Sequence, residues 1–489
     1  MSKLRITPFM KQCFVTAAVC FTTIGHGSAV GFSAILLPQL EKSGSNMTIT
    51  KEIGSWIVSV SAFTLLLGGF LTSPLMGRLG RRIAHFVVIT STLLGWVVIL
   101  FSNNIGMVIL GRSIHGISFG LMLPLRSVLI GEYTSPKNRG AFITIMSFSQ
   151  AFGILIVHFT GSLATWQHTV LILSSFPLMS LIMTFFTPET PSWLADKGRY
   201  QQSKEVFRWL RGDGEEAELA AMISATSSQK NKAPVSNCRD LVNLIKKRRF
   251  YKPIIIMVHC YMMTEFCGGA LMSNYSTTVI GLVAGPEVNV NFWMVTFDIQ
   301  RNLTSLLAVF VVRRVSRRTM ILTTGGLCAL SHLALACYVY TRHIGVMTYT
   351  ATWLPILLIS IQFFTVAMGM LTLPYVIAGE IFPLEYRSIG GSISIIAIAS
   401  GYFVVTKTFP SLVQSIGIYG AYALYGCFLF YNWVVVWAML PETKGKTLQE
   451  IEEYFKGKSI DSKDVELKEP LKDNKENLDK YTIKEIATR

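Results

Sequence analysis

The chain carries three motifs twice, in the same order. Glu132-Tyr-Thr-Ser-Pro-Lys-Asn-Arg139-Gly140 is answered by Glu380-Ile-Phe-Pro-Leu-Glu-Tyr-Arg387-Ser388, each with an arginine seven residues after a glutamate that ends a long apolar run. Gly77-Arg-Leu-Gly-Arg81-Arg82 is answered by Arg313-Arg-Val-Ser-Arg317-Arg318, and Pro188-Glu189-Thr190 by Pro441-Glu442-Thr443. The copies lie about 235–255 residues apart, which marks a duplicated chain, and a parallel repeat of membrane helices is a transporter architecture.

The stretches between the motifs are long enough to be membrane helices. A bilayer core takes about 20 helical residues, and twelve apolar runs meet that length, the first at 12–38 and the last at 418–440. The weakest, 291–312, carries Asp298 and Arg301, but its place in the repeat requires it. Hydrophobic residues make up 51% of the sequence and charged ones 15%, too apolar a balance for a soluble domain. The expected fold is an all-α membrane protein of twelve transmembrane helices in two six-helix halves. Residues 1–187 and 253–440 form the halves, 188–252 a cytoplasmic helical linker, and 441–489 a cytoplasmic tail, mostly disordered.

Charge sets the orientation. With both termini in the cytoplasm, Arg78, Arg81, Arg82, Arg313, Arg314, Arg317, Arg318 and the whole 188–252 loop lie inside, whereas the outer connections hold little beyond Lys42, Lys51 and Arg342. The net charge of +16 is thereby accounted for without a nucleic-acid partner. Met1-Ser-Lys-Leu-Arg5 before an apolar run resembles a signal peptide, but the run is too long and more spans follow, so an uncleaved first helix is expected. No outer loop offers a cysteine pair for a disulfide, and no metal spacing or cofactor motif occurs. Asn46-Met-Thr48 is a glycosylation sequon in the first outer loop, while the sequons at Asn274 and Asn302 fall inside spans. No nucleophile–base set or phosphate loop stands outside the spans, so an enzyme is not expected.

With these residues assembled, the chain resembles the sugar porters of the major facilitator superfamily over about residues 10–455, and within them the insect facilitated trehalose transporter-like branch. The resemblance rests on Gly111-Arg112, Glu132 with Arg139-Gly140, Pro188 to Leu194 with Lys197-Gly-Arg199, Pro374 with Glu380, and Pro441 to Thr447. It implies alternating access at the plasma membrane, with a small-molecule solute and the lipid bilayer as partners, no cofactor, and no obligate protein partner. It also implies an inner latch of charged hydrogen bonds. Arg81, Arg82, Glu132, Arg139 and Glu189 make one half of it, and Arg317, Arg318, Glu380, Arg387 and Glu442 the other.

The central positions depart from the family pattern. Where sugar porters carry paired amides in the seventh span, this chain reads Thr264-Glu265-Phe-Cys-Gly268-Gly-Ala270. The two fifth-span glutamines fall on Ser147 and His158, with Gln150 one turn from the first; Arg301 takes an asparagine position and Tyr375 a tryptophan position. Substrate contacts are therefore expected from Gln150, His158, Thr264, Glu265, Asn274, Arg301 and Tyr375. Glu265 and Arg301 are charges inside spans, which usually face the protein interior and pair. If the seventh and eighth spans bring them together, they either hold a zwitterionic solute or pair internally. Proton-coupled relatives carry a first-span aspartate near the Gly-Arg arginine, and here that position is Ser33, which favours an uncoupled facilitator; Glu265 or His158 remains able to carry a proton. The leading expectation is facilitative transport of trehalose, glucose or a sugar-like polyol. A carrier of a charged metabolite and a non-transporting sensor stay open beside it.

Overall fold

In a computed structural model, residues 7–41, 47, 49–216, 218–220, 222–223, 248–285, 287–346, 352–382, 387–446 and 448–456 are described. The first half is six long helices: α1 Pro8–Glu41, α2 Lys51–Leu79, α3 Arg81–Leu100, α4 Ile105–Tyr133, α5 Pro136–Leu163 and α6 Trp166–Phe185. Side chains close several of their starts. Thr50 accepts from the N–H of Ile53 at 3.2 Å and Asn104 from that of Met107 at 2.9 Å, filling donors that a helix leaves unmet in its first turn. Two short helices follow, α7 Pro191–Asp196 and α8 Tyr200–Arg211. The glycosylation site at Asn46 and the stretch 224–247 lie outside the described residues.

The second half repeats the first with breaks. Its seventh span is two helices, α9 Arg248–Phe266 and α10 Gly269–Ala284, parted at Gly268, whose φ of 90° lies in the left-handed region open to glycine. Then come α11 Val290–Arg314 and α12 Arg317–His343. The tenth span is α13 Trp353–Thr365, a π-helical turn Val366–Met370 and α14 Leu373–Ile381. The last two spans form one helical run, α15 Arg387–Met439, which turns at Gly417 (φ 74°). Counted with that turn, the described residues make twelve spans; an even number of crossings returns the chain to the side it started from, so the ends of α1 and α15 that carry Pro8 and Met439 share one side of the bundle, called here the basic end.

Beyond α15, residues Leu448–Lys456 form a helix, α16, at the start of the tail. Its apolar positions recur at helical spacing, and Ile451 and Phe455 are each 2% exposed, so burial of that stripe holds the segment in place. Residues after 456 lie outside those described.

Leu303, Phe310 and Leu330 on the outer face of the bundle are each more than 60% exposed, a surface suited to lipid. Inside, the halves meet along α1 against α10, α2 against the first part of α15, and α5 against α11. These seams frame the centre of the molecule.

Candidate solute site and gates

A cavity of about 90 Å³ lies where the halves meet, lined by Gln150 from the first half and by Thr264, Glu265, Ser273, Arg301, Tyr375 and Tyr402 from the second. Five of the seven predicted contact residues therefore face one space. Asn274 is fully buried behind it, donating from Nδ2 to the Tyr402 hydroxyl at 3.1 Å, and so it positions a lining residue. Tyr402 itself carried no sequence signal. Gln150 accepts from Arg126 Nη1 at 3.0 Å, and the Arg126 guanidinium lies 5.8 Å from the Tyr375 ring centroid across the seam. The Thr264 hydroxyl points at the carbonyl oxygens of Cys260 and Met370, at 3.0 and 2.9 Å, and so supports the π-helical turn.

The expected Glu265–Arg301 pair does not form. Arg301 donates from Nη2 to Asp298 Oδ1 at 2.7 Å and from Nη1 to the Ser273 hydroxyl at 3.1 Å. Asp298 precedes Arg301 by three residues on α11, so the two share a face and pair locally. Glu265 belongs to α9, before the Gly268 break, whereas Arg301 reaches the α10 side of it. Among the described residues Glu265 makes no ion pair.

His158 also departs from its predicted place. Its Nδ1 lies 2.5 Å from Asp298 Oδ2 and its Nε2 3.3 Å from the Ser273 carbonyl oxygen, with both side chains almost fully buried. Away from the basic end, a recess of 1460 Å³ reaches inward to Ala34 on α1, Gly161 on α5 and Thr277 on α10. The central cavity reaches the other way to Val30, Ile154 and Ser273. His158 and its partners occupy the layer between the two spaces. Thr277 donates to the Ala34 carbonyl at 3.0 Å and Lys407 to the Ser55 hydroxyl at 2.8 Å in the same outer region, and Asn302 donates to the Ala151 carbonyl at 3.3 Å nearer the middle. The described side-chain hydrogen bonds between halves thus lie at the middle or far from the basic end.

At the basic end the duplicated motifs build the same structure twice. Glu189 Oε1 accepts from the backbone N–H groups of Arg81 and Arg82 at 3.0 and 3.1 Å, and Glu442 accepts from those of Arg317 and Arg318 at 2.9 and 3.1 Å. Each carboxylate thereby sits on the first turn of a helix, α3 or α12, where the aligned peptide dipoles favour negative charge. Burial pushes the Glu442 carboxyl up, but hydrogen bonds from the Lys444 N–H, the Ser316 hydroxyl and the Arg318 and Arg317 N–H groups hold it below the usual carboxylate range. Arg81 pairs with Glu132 at 3.1 Å, and Arg317 with Glu380 at 3.6 Å. Arg82 donates to the Phe185 carbonyl and Arg318 to the Trp437 carbonyl, both at 2.8 Å. Arg139 donates to the Gly131 carbonyl at 2.7 Å, and the side chain of Arg387 lies outside the described residues. Every one of these bonds stays within one half.

Arg112 is buried in α4 and donates to the backbone carbonyls of Ala29 and Ile57 and to the Ser61 hydroxyl. Ser33, one turn beyond Ala29, is buried with its hydroxyl unpartnered, and the hydrogen-bond partners of Arg112 among the described residues are carbonyls and a hydroxyl rather than a carboxylate.

The chain is 26% identical to the facilitated trehalose transporter Tret1 of Culex quinquefasciatus over 91% of its length and 87% of that protein's. It is equally identical to Tret1 of Apis mellifera ligustica, over 92% and 89%. Among solved structures it is similar to the proton:xylose symporter XylE bound to 6-bromo-6-deoxy-D-glucose, at a TM-score of 0.74 and 18% identity, covering 92% of this chain and 100% of that one. The inward open conformation of XylE from E. coli superposes at 0.72 with 19% identity over the same shares. The sequence pattern of the family described as "Sugar (and other) transporter" matches residues 12–455, and the chain belongs to that family.

Proposed function

We propose that the protein carries a sugar or sugar-like polyol across the plasma membrane by alternating access, uncoupled from protons, with the basic end in the cytoplasm. The observation that supports this most is the cavity on the seam between the halves, a largely apolar space into which both halves place a few polar side chains, closed on its far side by bonds between the halves among the described residues. Cross-half bonds at His158–Asp298, Thr277–Ala34 and Lys407–Ser55 close the far side, while the ion pairs at the basic end tie each half to itself. At about 90 Å³ the cavity is well below the ~300–1,000 Å³ of ordinary ligand clefts, so solute entry requires the halves to part. Residues 1–187 and 253–440 act as the two moving bodies, joined by the 188–252 linker, with Gln150, Thr264, Glu265, Arg301 and Tyr375 facing the solute. The basic end faces the cytoplasm because that placement satisfies the positive-inside rule.

The relatives' printed names point to trehalose, and the uncoupled mode rests on Ser33 and Arg112. The charged-metabolite reading loses support, because Asp298 already neutralises Arg301. A second mode, proton-linked transport, is favoured by one observation: His158 and Asp298, both titratable, join across the seam. Uptake of radiolabelled trehalose, glucose, a polyol and an amino acid into proteoliposomes separates these readings. Equilibration of a sugar or polyol, indifferent to an imposed pH gradient, is expected. Accumulation that collapses with a protonophore would replace the uncoupled mode, and uptake of the amino acid alone would remove the sugar.

A further inference from the structure

Three unmet polar groups converge beside the Gly268 break, outside the contacts assigned so far. A side chain at position 268 would place its Cβ 3.1 Å from His332 Nε2 and 3.7 Å from Gln362 Oε1, so the glycine lets both polar atoms come close to the break. His332 Nδ1 lies 2.9 Å from the Cys328 carbonyl oxygen, which only accepts, so the proton of the neutral ring sits on Nδ1 and Nε2 is a bare acceptor. That Nε2 has no partner, and neither do the amide oxygen and nitrogen of Gln362 or the Nε of Arg301. His332 and Gln362 are each 1% exposed. Buried polar groups without partners are unfavourable and rare, and several aimed at one spot mark a place where a partner binds.

Gln362 and Arg301 line a cavity of about 10 Å³ together with Gly268, Met272 and Phe363, and His332 Nε2 stands against its Gly268 wall. It shares Gly269, Arg301 and Val366 with the central cavity, and so it is a side pocket of the solute site. Its size admits one oxygen atom, since a water needs ~10–15 Å³ by that kind of measure. The chemistry of the walls narrows the occupant further. His332 Nε2 needs a donor, Arg301 Nε needs an acceptor, and the Gln362 amide offers one of each. A carboxylate has no proton for His332, and an ammonium group would face the Arg301 cation. A hydroxyl answers all three.

We propose that His332, Gln362 and Arg301 form a hydroxyl-binding subsite, in which the hydroxyl donates to His332 Nε2 and accepts from Gln362 Nε2 or Arg301 Nε. In this assignment the tenth span supplies, from Gln362, an amide in place of those absent from the seventh. The inference rests on the polyol reading of the central site. A bound water and a hydroxyl of the transported solute share this chemistry, and deoxy analogues separate them.

The test uses the full chain in proteoliposomes with the tightest-binding sugar of a panel and its monodeoxy analogues, and compares the native protein with Gln362→Met and His332→Phe. One monodeoxy analogue should bind native protein about tenfold more weakly than its parent, the loss of one neutral hydrogen-bonded pair. In either variant the parent should fall to that level while the matching analogue changes little. Thermal unfolding without solute gives a second readout: removing an unpartnered amide should leave the midpoint unchanged or raised. Equal weakening of every analogue in the variants, or a lowered midpoint without solute, would assign the pocket to a structural water and overturn the proposal. If native protein discriminates no monodeoxy analogue, the subsite alone is rejected. If it binds no sugar or polyol at all, the polyol reading falls with it.

Discussion

Asp298 serves two partners at once, His158 across the seam and Arg301 on its own helix. Replacing it with asparagine strands the Arg301 cation in the interior, and breaking a buried pair from one side typically costs about 3–5 kcal/mol. Asp298→Asn is therefore expected to lower the thermal midpoint in detergent sharply, and a cycle with Arg301→Gln should be strongly non-additive. Glu265→Gln combined with Arg301→Gln should add within about 0.5 kcal/mol, since no bond joins those residues. A coupled Glu265–Arg301 cycle would restore the pairing that sequence suggests. Glu265 and Arg301 were legible because charges stand out in apolar spans. Their partners were not, because pairing depends on how α9, α10 and α11 are rotated and on where the seventh span breaks. Asp298 reads in sequence only as a weakness of its span, although its spacing from Arg301 held the signal.

At the level of helices, the duplicated motifs translate into duplicated structure with unequal closeness. Arg81 and Glu132 are 3.1 Å apart, whereas Arg317 and Glu380 are 3.6 Å apart, and Glu380 keeps a second bond from the Thr443 hydroxyl at 2.6 Å. Glu132→Gln should accordingly disturb its half more than Glu380→Gln. Loss of a charged hydrogen bond of roughly 1.5–3 kcal/mol shifts a near-balanced two-state carrier about tenfold or more. The reactivity of a cysteine introduced beside Tyr375 would report the shift, and equal reactivity in both variants would argue against unequal gates. The latch residues came from the family resemblance, whereas repeats and spans were legible from spacing and hydropathy. The π-helical turn at Val366–Met370 was not, since Thr264 supports it from another span. The helix α16 was hidden by the charge-rich sequence around it, and only burial of Ile451 and Phe455 against the bundle reveals it.

For the whole molecule, the two halves divide their work unevenly. The first half has six unbroken spans, while the second is broken at Gly268 and loosened by the π-helical turn, both beside the central cavity. Local rearrangement on solute entry is thus expected in the second half, with the first moving as a rigid body. The pairing of Asp298 with Arg301 has a further consequence, an electrical one. A membrane potential acts on each elementary charge with ~2.3 kcal/mol per 100 mV, so a mobile element with unbalanced charge would make turnover depend on voltage. Here the acid and the base move together on α11 and sum to zero, and a sugar adds nothing. Transport should be electrically silent: uptake at a clamped potential of either sign should proceed at one rate, with no current on a supported membrane. A solute-evoked current would identify an ion travelling with the sugar.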